Sequence, residues 1–284
     1  MTLVSDAPAT TEDRDEVRRQ QIARIQGIAK WTLPGVVMAL ALLAWHLYVT
    51  LNEVPHYILP SPVLVFQTLF TDWPLLSAAA LVTLRLTLYA LVFAIIGGVA
   101  LAVLFTQSKW AEMSLFPYAV ILQVTPVIAV APLIQIYVDS AFAAALICAW
   151  IVAFFPILSN TTIGLKSADH NLRDLMTIYG ATRWQRLIFL DVPSALPFFL
   201  GGLKIAGGLA LIGAVVAEFV IGRSGTGLGL ASTLLEASYR YNFARLYASL
   251  FLISGLGIMV FAATALIAHL SLRNWHESAL SREG

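Results

Sequence analysis

Six long apolar stretches, separated by polar connections, dominate the pattern of hydrophobic and polar positions along the chain. Each reaches about the 20 mostly apolar residues that an α-helix needs to cross a bilayer. A closed β-barrel would instead show short segments of alternating polarity, whereas these runs are continuous. The pattern therefore predicts an all-α polytopic membrane protein whose six transmembrane helices are Trp31–Thr50, Ala79–Thr106, Leu115–Tyr137, Ala141–Ile163, Ala195–Ile221 and Leu246–Leu272.

Composition agrees with a membrane protein and excludes several other classes. Of the 284 residues, 59% are hydrophobic and 12% are charged, whereas soluble domains carry about 25% charged residues. The net charge of +1 gives no reason to expect nucleic acid as a partner. The single cysteine, Cys148, excludes a disulfide framework, and the five histidines show no metal-ligand spacing.

The distribution of Lys and Arg predicts the orientation and the division of the chain. Twelve of these residues fall on the side that holds both termini, and three fall on the opposite side. Since cytoplasmic loops carry the excess of basic residues, both termini are expected in the cytoplasm. The predicted parts are an N-terminal cytoplasmic tail, 1–30, a six-helix transmembrane domain, 31–272, and a C-terminal cytoplasmic tail, 273–284. The N-terminal tail fits an amphipathic helix on the inner leaflet, a solvated helix or a disordered segment.

The cytoplasmic connection at about 167–197 predicts two short helices joined at a corner. Asp169 is positioned to cap the first helix, and Gly180 to end it in a left-handed conformation. Thr182 and Gln185 have the spacing of a capping box at the start of the second. The first helix carries one apolar stripe at helical spacing, formed by Leu172, Leu175, Met176 and Tyr179. Such a stripe fits a groove on a partner, the inner leaflet or neighbouring helix ends equally well.

This connection resembles the EAA loop of ABC importer permeases, which runs Glu-Ala-Ala, three residues, Gly, nine residues and Ile-x-Leu-Pro. Here the corresponding string is Asp174-Leu175-Met176, three residues, Gly180, nine residues and Leu190-Asp191-Val192-Pro193. The acid is Asp, and Leu175 and Met176 replace the two alanines.

Other motifs are similar to the nitrate/sulfonate/taurine type of these permeases, so that the resemblance covers about residues 55–275. They are Gly180-Ala181-Thr182-Arg183-Trp184, Leu59-Pro60-Ser61-Pro62, Gln123-Val124-Thr125-Pro126, Ala131-Pro132-Leu133 and Ala217-Glu218 before a Gly-rich turn.

The resemblance implies a type I ABC importer permease fold in the bacterial inner membrane. It also implies a second permease copy in a homodimer, two cytoplasmic ABC ATPases and a periplasmic or extracellular substrate-binding protein as partners. ATP and Mg are expected on the ATPases and no cofactor on this chain, which has no Gly-Lys-Ser or Gly-Lys-Thr of a P-loop. The residues that the resemblance assigns to ATPase coupling are Asp174, Leu175, Met176, Tyr179, Gly180, Arg183, Trp184, Leu190, Val192 and Pro193.

Four polar residues within the predicted spans are candidates for the translocation path. Arg85 and Glu218 lie near the outer ends of their spans, and a charge inside a membrane is costly unless it is paired or wet. Their common depth permits an ion pair between them. Such a structural pair is the alternative to a contact with the transported solute. Gln123 and Thr125 lie among three prolines of the third span, where a helix broken by proline can line a cavity or simply pack with a kink.

Other classes of function fit the sequence less well. A secondary transporter or channel that works without ATP would show an inverted repeat or a charged relay in its spans, and neither is found. An intramembrane enzyme would require paired carboxylates or another catalytic arrangement, which no span carries. The transported solute stays open between small anions such as nitrate, sulfonates or taurine and vitamin precursors such as thiamine pyrimidines or riboflavin.

Overall fold

The structure is a computed structural model that describes residues 11–222 and 229–273. Within these ranges every regular element is helical, which confirms the predicted fold class. The α-helices are α1 Thr11–Leu51, α2 Pro62–Thr71, α3 Trp73–Gln107, α4 Lys109–Val124, α5 Val127–Tyr137, α6 Ala141–Lys166, α7 His170–Ile178, α8 Arg183–Arg186, α9 Val192–Ile221, α10 Leu230–Tyr239 and α11 Phe243–Leu272, and a π-helical turn, Leu187–Asp191, joins α8 to α9.

The chain divides into two compact units, residues 1–64 and residues 65–284. In the first unit, α1 runs as one helix through the predicted boundary between tail and first span, and its part from Thr32 to Leu51 is apolar enough to cross a membrane. Helix α2 begins at Pro62, and the Ser61 hydroxyl accepts a hydrogen bond from the Leu64 amide in its first turn.

In the second unit, α6 is the central helix and packs against α3 and α9. Their contacts consist largely of alanines with no exposed surface, such as Ala149 and Ala153 of α6 and Ala210 of α9. A Cβ atom at Gly213 of α9 would lie 2.9 Å from the Ala149 Cα atom. Small residues thus let these helix backbones approach closely, as is typical of helix packing in membranes.

Five described helical segments are long and apolar enough to cross a membrane, and a sixth crossing requires counting α4 and α5 together. The predicted third span, Leu115–Tyr137, is not one straight helix, because α4 and α5 meet at an angle of 103°. The cause is Pro126, which has no N–H and forces the preceding residue out of the helical region. Thr125 accordingly has an extended backbone, with φ −70° and ψ 123°.

Candidate functional site

The cytoplasmic corner is built by the capping residues that the sequence predicts. The Asp169 carboxylate accepts a hydrogen bond of 2.7 Å from the Asn171 amide at the start of α7. Gly180 has a φ of +69° after the end of α7, the left-handed conformation that favours glycine. Thr182 and Gln185 form the reciprocal capping box at the start of α8. All three predictions about local structure are confirmed.

The apolar stripe of α7 is not covered by the part of the chain that the structure describes. Tyr179 has 82% of its surface exposed, and Leu172 and Leu175 are exposed as well, while Met176 is half-buried. Neighbouring helix ends therefore do not cover the stripe. Exposed apolar side chains also continue around the corner, at Ile178, Trp184, Ile188 and Phe189, and of these only Trp184 belongs to the residues predicted to couple.

Two charged residues that the sequence analysis did not single out attach this loop to the bundle. The Asp191 side chain, in the π-helical turn, is buried and lies 3.1 Å from the Arg173 guanidinium of α7. The same guanidinium donates a hydrogen bond of 2.8 Å to the Leu165 carbonyl at the end of α6. Arg186 lies 3.9 Å from the second Asp191 oxygen. The one sequence signal for this anchor is an acid placed between apolar Leu190 and Val192.

The remaining residues of the coupling loop divide between bundle and surface. Leu190 is buried in the described structure, so it packs within the chain. Asp174, Arg183 and Val192 are exposed, and Pro193 is half-buried. Only the exposed side chains are available for direct contact with a partner.

The break between α4 and α5 opens a cleft of about 450 Å³ toward α6 and α9. Both predicted polar residues, Gln123 and Thr125, line this cleft. The Thr125 hydroxyl donates a hydrogen bond of 2.6 Å to the Ile121 carbonyl, so Thr125 offers a solute only an acceptor, whereas the Gln123 amide offers both a donor and an acceptor. The other lining residues are uncharged, namely Leu122, Val127, Ile128, Ile151, Val152, Pro156, Leu209, Ile212, Gly213 and Val216.

The ion pair considered between Arg85 and Glu218 does not form. Glu218 is fully buried and accepts hydrogen bonds from the Thr83 hydroxyl of α3, at 2.8 Å, and from the Ala231 amide of α10, at 2.9 Å. Arg85 lies on the exposed side of α3. Residue Gly229 packs directly on this junction, since a Cβ atom there would lie 2.3 Å from both the Glu218 and the Thr83 oxygens. Glu218 therefore joins three helices and does not face the cleft. Most of the Gly-rich segment 222–229 lies outside the described residues.

Residues 94–275 match the family of binding-protein-dependent transport system inner membrane components. This chain belongs to that family. Among relatives of the permease, the riboflavin transport system permease protein RibX of Chloroflexus aurantiacus is 34% identical over 72% of this chain and 78% of its own length. The formylaminopyrimidine transport permease protein ThiX of Halalkalibacterium halodurans is 32% identical over 81% of this chain and 90% of its own length. The nitrate import permease protein NrtB of Synechocystis is 29% identical over 69% and 74%.

Solved structures agree with this assignment of the fold. The inward-facing MetNI methionine ABC transporter has a chain that superposes with a TM-score of 0.59 at 20% identity, over 70% of this permease and 97% of that chain. An amino acid ABC transporter with histidines gives the same TM-score at 18% identity. The permease has the type I ABC importer fold and is a transporter subunit for a small solute rather than an enzyme. The comparisons do not support a transporter or channel that works without ATP.

Proposed function

We propose that this permease acts as a homodimer with two cytoplasmic ATPases and an external substrate-binding protein, and that α7 and α8 dock into the ATPases. ATP and Mg bind to the ATPases in this proposal, while this chain supplies the path for the solute. The observation that carries the proposal is the exposed apolar stripe of α7, held by an ionic anchor at its base. An amphipathic helix whose apolar face is not covered by the described residues of its own chain fits a groove on a partner.

The contacts of the loop supply a route from the ATPases to the solute path. Arg173 on α7 bonds to Asp191, and the π-helical turn that carries Asp191 continues directly into α9. Four residues of α9 line the cleft at the break between α4 and α5. A movement of α7 is therefore passed through one buried ionic contact to a helix that forms a wall of the cleft.

Gly180→Val should uncouple uptake from ATP hydrolysis although the variant inserts normally. A Cβ atom at this position meets no atom within 4 Å, so the effect comes from the backbone alone. The left-handed conformation costs a residue with a side chain about 1–2 kcal/mol. The fraction of molecules with the native conformation at this corner would therefore fall roughly tenfold. Substrate uptake and ATPase activity, measured in membranes with equal amounts of permease, check this expectation.

Gly180→Asn is the matched control, because Asn adopts the left-handed conformation more readily than Val does. It should keep most of the uptake. Normal uptake by Gly180→Val would contradict the assignment of this corner to coupling.

The cleft favours an uncharged solute over a small anion. Its lining residues are uncharged, and burying an ion without a compensating partner is far more costly than burying a hydrogen-bonded polar group. RibX and ThiX, which are named for riboflavin and a formylaminopyrimidine, are at least as similar to this chain as the nitrate permease. We propose an uncharged heterocycle as the substrate class, with the Gln123 amide as a donor and acceptor for its polar edge.

Uptake by the complete reconstituted complex tests this substrate class. A thiamine-type pyrimidine or riboflavin should accumulate in an ATP-dependent manner, and nitrate and taurine should not. Gln123→Leu should lower the uptake, while Gln67→Leu on α2, away from the cleft, should not change it. ATP-dependent uptake of nitrate or taurine alone would contradict the proposal.

Cysteine labelling tests the proposed orientation. In a Cys148→Ala background, exposed positions Tyr57 and Tyr239 should react with a membrane-impermeant maleimide from outside intact cells. The exposed positions Ser167 and His170 should react only after the membrane is opened. The reverse pattern would contradict a cytoplasmic location of the coupling loop.

A further inference from the structure

Two adjoining clefts, of about 400 and 530 Å³, lie between the α3–α4 turn and the coupling loop. Lys109 and Arg186 line both of them. Lys166 and Arg173 line only the first, and Arg183 lines only the second. Five cationic side chains from four different segments thus surround one continuous concave surface, which we call the basic rim.

The basic rim contains more positive charge than its own carboxylates neutralise. Glu112 forms an ion pair with Lys166, and Asp191 forms ion pairs with Arg173 and, at 3.9 Å, with Arg186. Among the described residues, Lys109 and Arg183 have no ion-pair partner. The cleft-lining residues therefore carry an excess of three positive charges, and a concave site with one sign of charge concentrates ions of the opposite sign.

Two buried donors of the rim also lack an acceptor. The Nε atoms of Arg173 and Arg186 are buried and have no hydrogen-bond partner among the described residues. A buried donor without an acceptor is destabilising, because it has lost its hydrogen bonds to water without a replacement. Guanidinium and ammonium groups together form the usual site for phosphate oxygens, and a bound phosphate would supply acceptors for these donors. The chemistry of the rim therefore fits a phosphate group.

The surface beside the rim indicates which kind of molecule the phosphate belongs to. One face of α4 leads away from Lys109 and exposes Trp110, Met113, Pro117 and Ile121 at helical spacing. Tryptophan is enriched where membrane headgroups meet the acyl region. A phospholipid would fit both features, with its phosphate at the rim and its acyl chains along this face of α4.

We propose that the basic rim binds the phosphate headgroup of an anionic phospholipid, with Lys109 as a main contact. Basic pockets between transmembrane helices on the cytoplasmic side are the sites where such headgroups bind. Bound lipid would neutralise the excess charge next to the Arg173–Asp191 anchor and hold the coupling loop in place. The proposal rests on the cytoplasmic location of the loop, which the cysteine labelling tests separately.

Native mass spectrometry of the full-length permease in detergent tests the site. The purified chain is titrated with phosphatidylglycerol or with zwitterionic phosphatidylcholine. We expect wild type to retain phosphatidylglycerol preferentially. Lys109→Gln should lower its apparent affinity about fivefold, the effect of one cation near an anionic lipid surface. Lys109→Arg should keep the affinity, and Arg240→Gln, which removes an exposed cation elsewhere, should leave it unchanged.

Three results would overturn the proposal. Equal retention of both lipids, or unchanged retention by Lys109→Gln, would exclude a specific headgroup contact at the rim. Displacement of the lipid by inorganic phosphate, but not by sodium chloride of equal ionic strength, would assign the rim to free phosphate. Where Lys109→Gln retains the lipid unchanged, loss of the ATPase from this variant in a separate co-purification would assign the rim to the ATPase. Because micelles have no inside or outside, none of these results depends on the proposed orientation.

Discussion

Replacing Asp191 with alanine is expected to abolish ATP-driven uptake and to lower the thermal stability of the purified permease. Asp191 is 1% exposed and is the carboxylate that holds Arg173 of α7 against the start of α9. Asp191→Ala leaves the partly buried Arg173 guanidinium with only the Leu165 carbonyl as an acceptor, and loss of one partner of such a bond costs about 1–3 kcal/mol. Uptake in proteoliposomes and the unfolding midpoint of the purified chain measure both effects.

A double-mutant cycle separates the ion pair from a general loss of packing. Arg173→Ala alone should also be strongly impaired, since it leaves the Asp191 carboxylate with only the more distant Arg186. The double variant Asp191→Ala/Arg173→Ala should be clearly more stable than the sum of the two single losses predicts. Additive losses would show that the two side chains stabilise the loop independently and would contradict an anchor made by this pair.

Elements that depend on local chemistry could be predicted from the sequence. The long apolar runs predicted the membrane helices, and Gly180 with the Thr182–Gln185 capping box predicted the corner between α7 and α8. In each case neighbouring residues along the chain determine the structure, through helix propensity, capping and backbone conformation. The start of α2 at Pro62 was predictable for the same reason.

Features that depend on partners distant in the chain could not be predicted in the same way. Arg173 and Asp191 are 18 residues apart, and no spacing rule joins them. Glu218 bonds to Thr83, 135 residues away. Similar depth in the membrane suggests Arg85 as the partner of Glu218, but depth alone does not determine the pairing. The bend at Pro126 is an intermediate case, because a proline predicts a break but does not determine that the angle reaches 103°.

Removing the apolar contact of α7 is expected to abolish binding of the ATPase. Tyr179 is 82% exposed, so Tyr179→Ala should leave the fold of the permease intact. Truncation of an aromatic anchor at an interface centre costs about 2 kcal/mol or more. Met176→Asp should act at least as strongly, since it places a charge within the buried contact. Asp174→Ala removes only a rim charge, worth about 0.2–1 kcal/mol, and its modest effect should be larger at low salt than at high salt.

Co-purification of the ATPase with Tyr179→Ala and with Thr177→Ala, across a salt series, tests the central claim most directly. Thr177 is exposed on the same helix but lies on the face opposite to the stripe, so Thr177→Ala leaves the apolar contact of the stripe unchanged. If α7 docks through its stripe, Thr177→Ala retains the ATPase as wild type does, and Tyr179→Ala loses it at every salt concentration. Equal retention of the ATPase by both variants and by Met176→Asp would show that this helix is not the docking element.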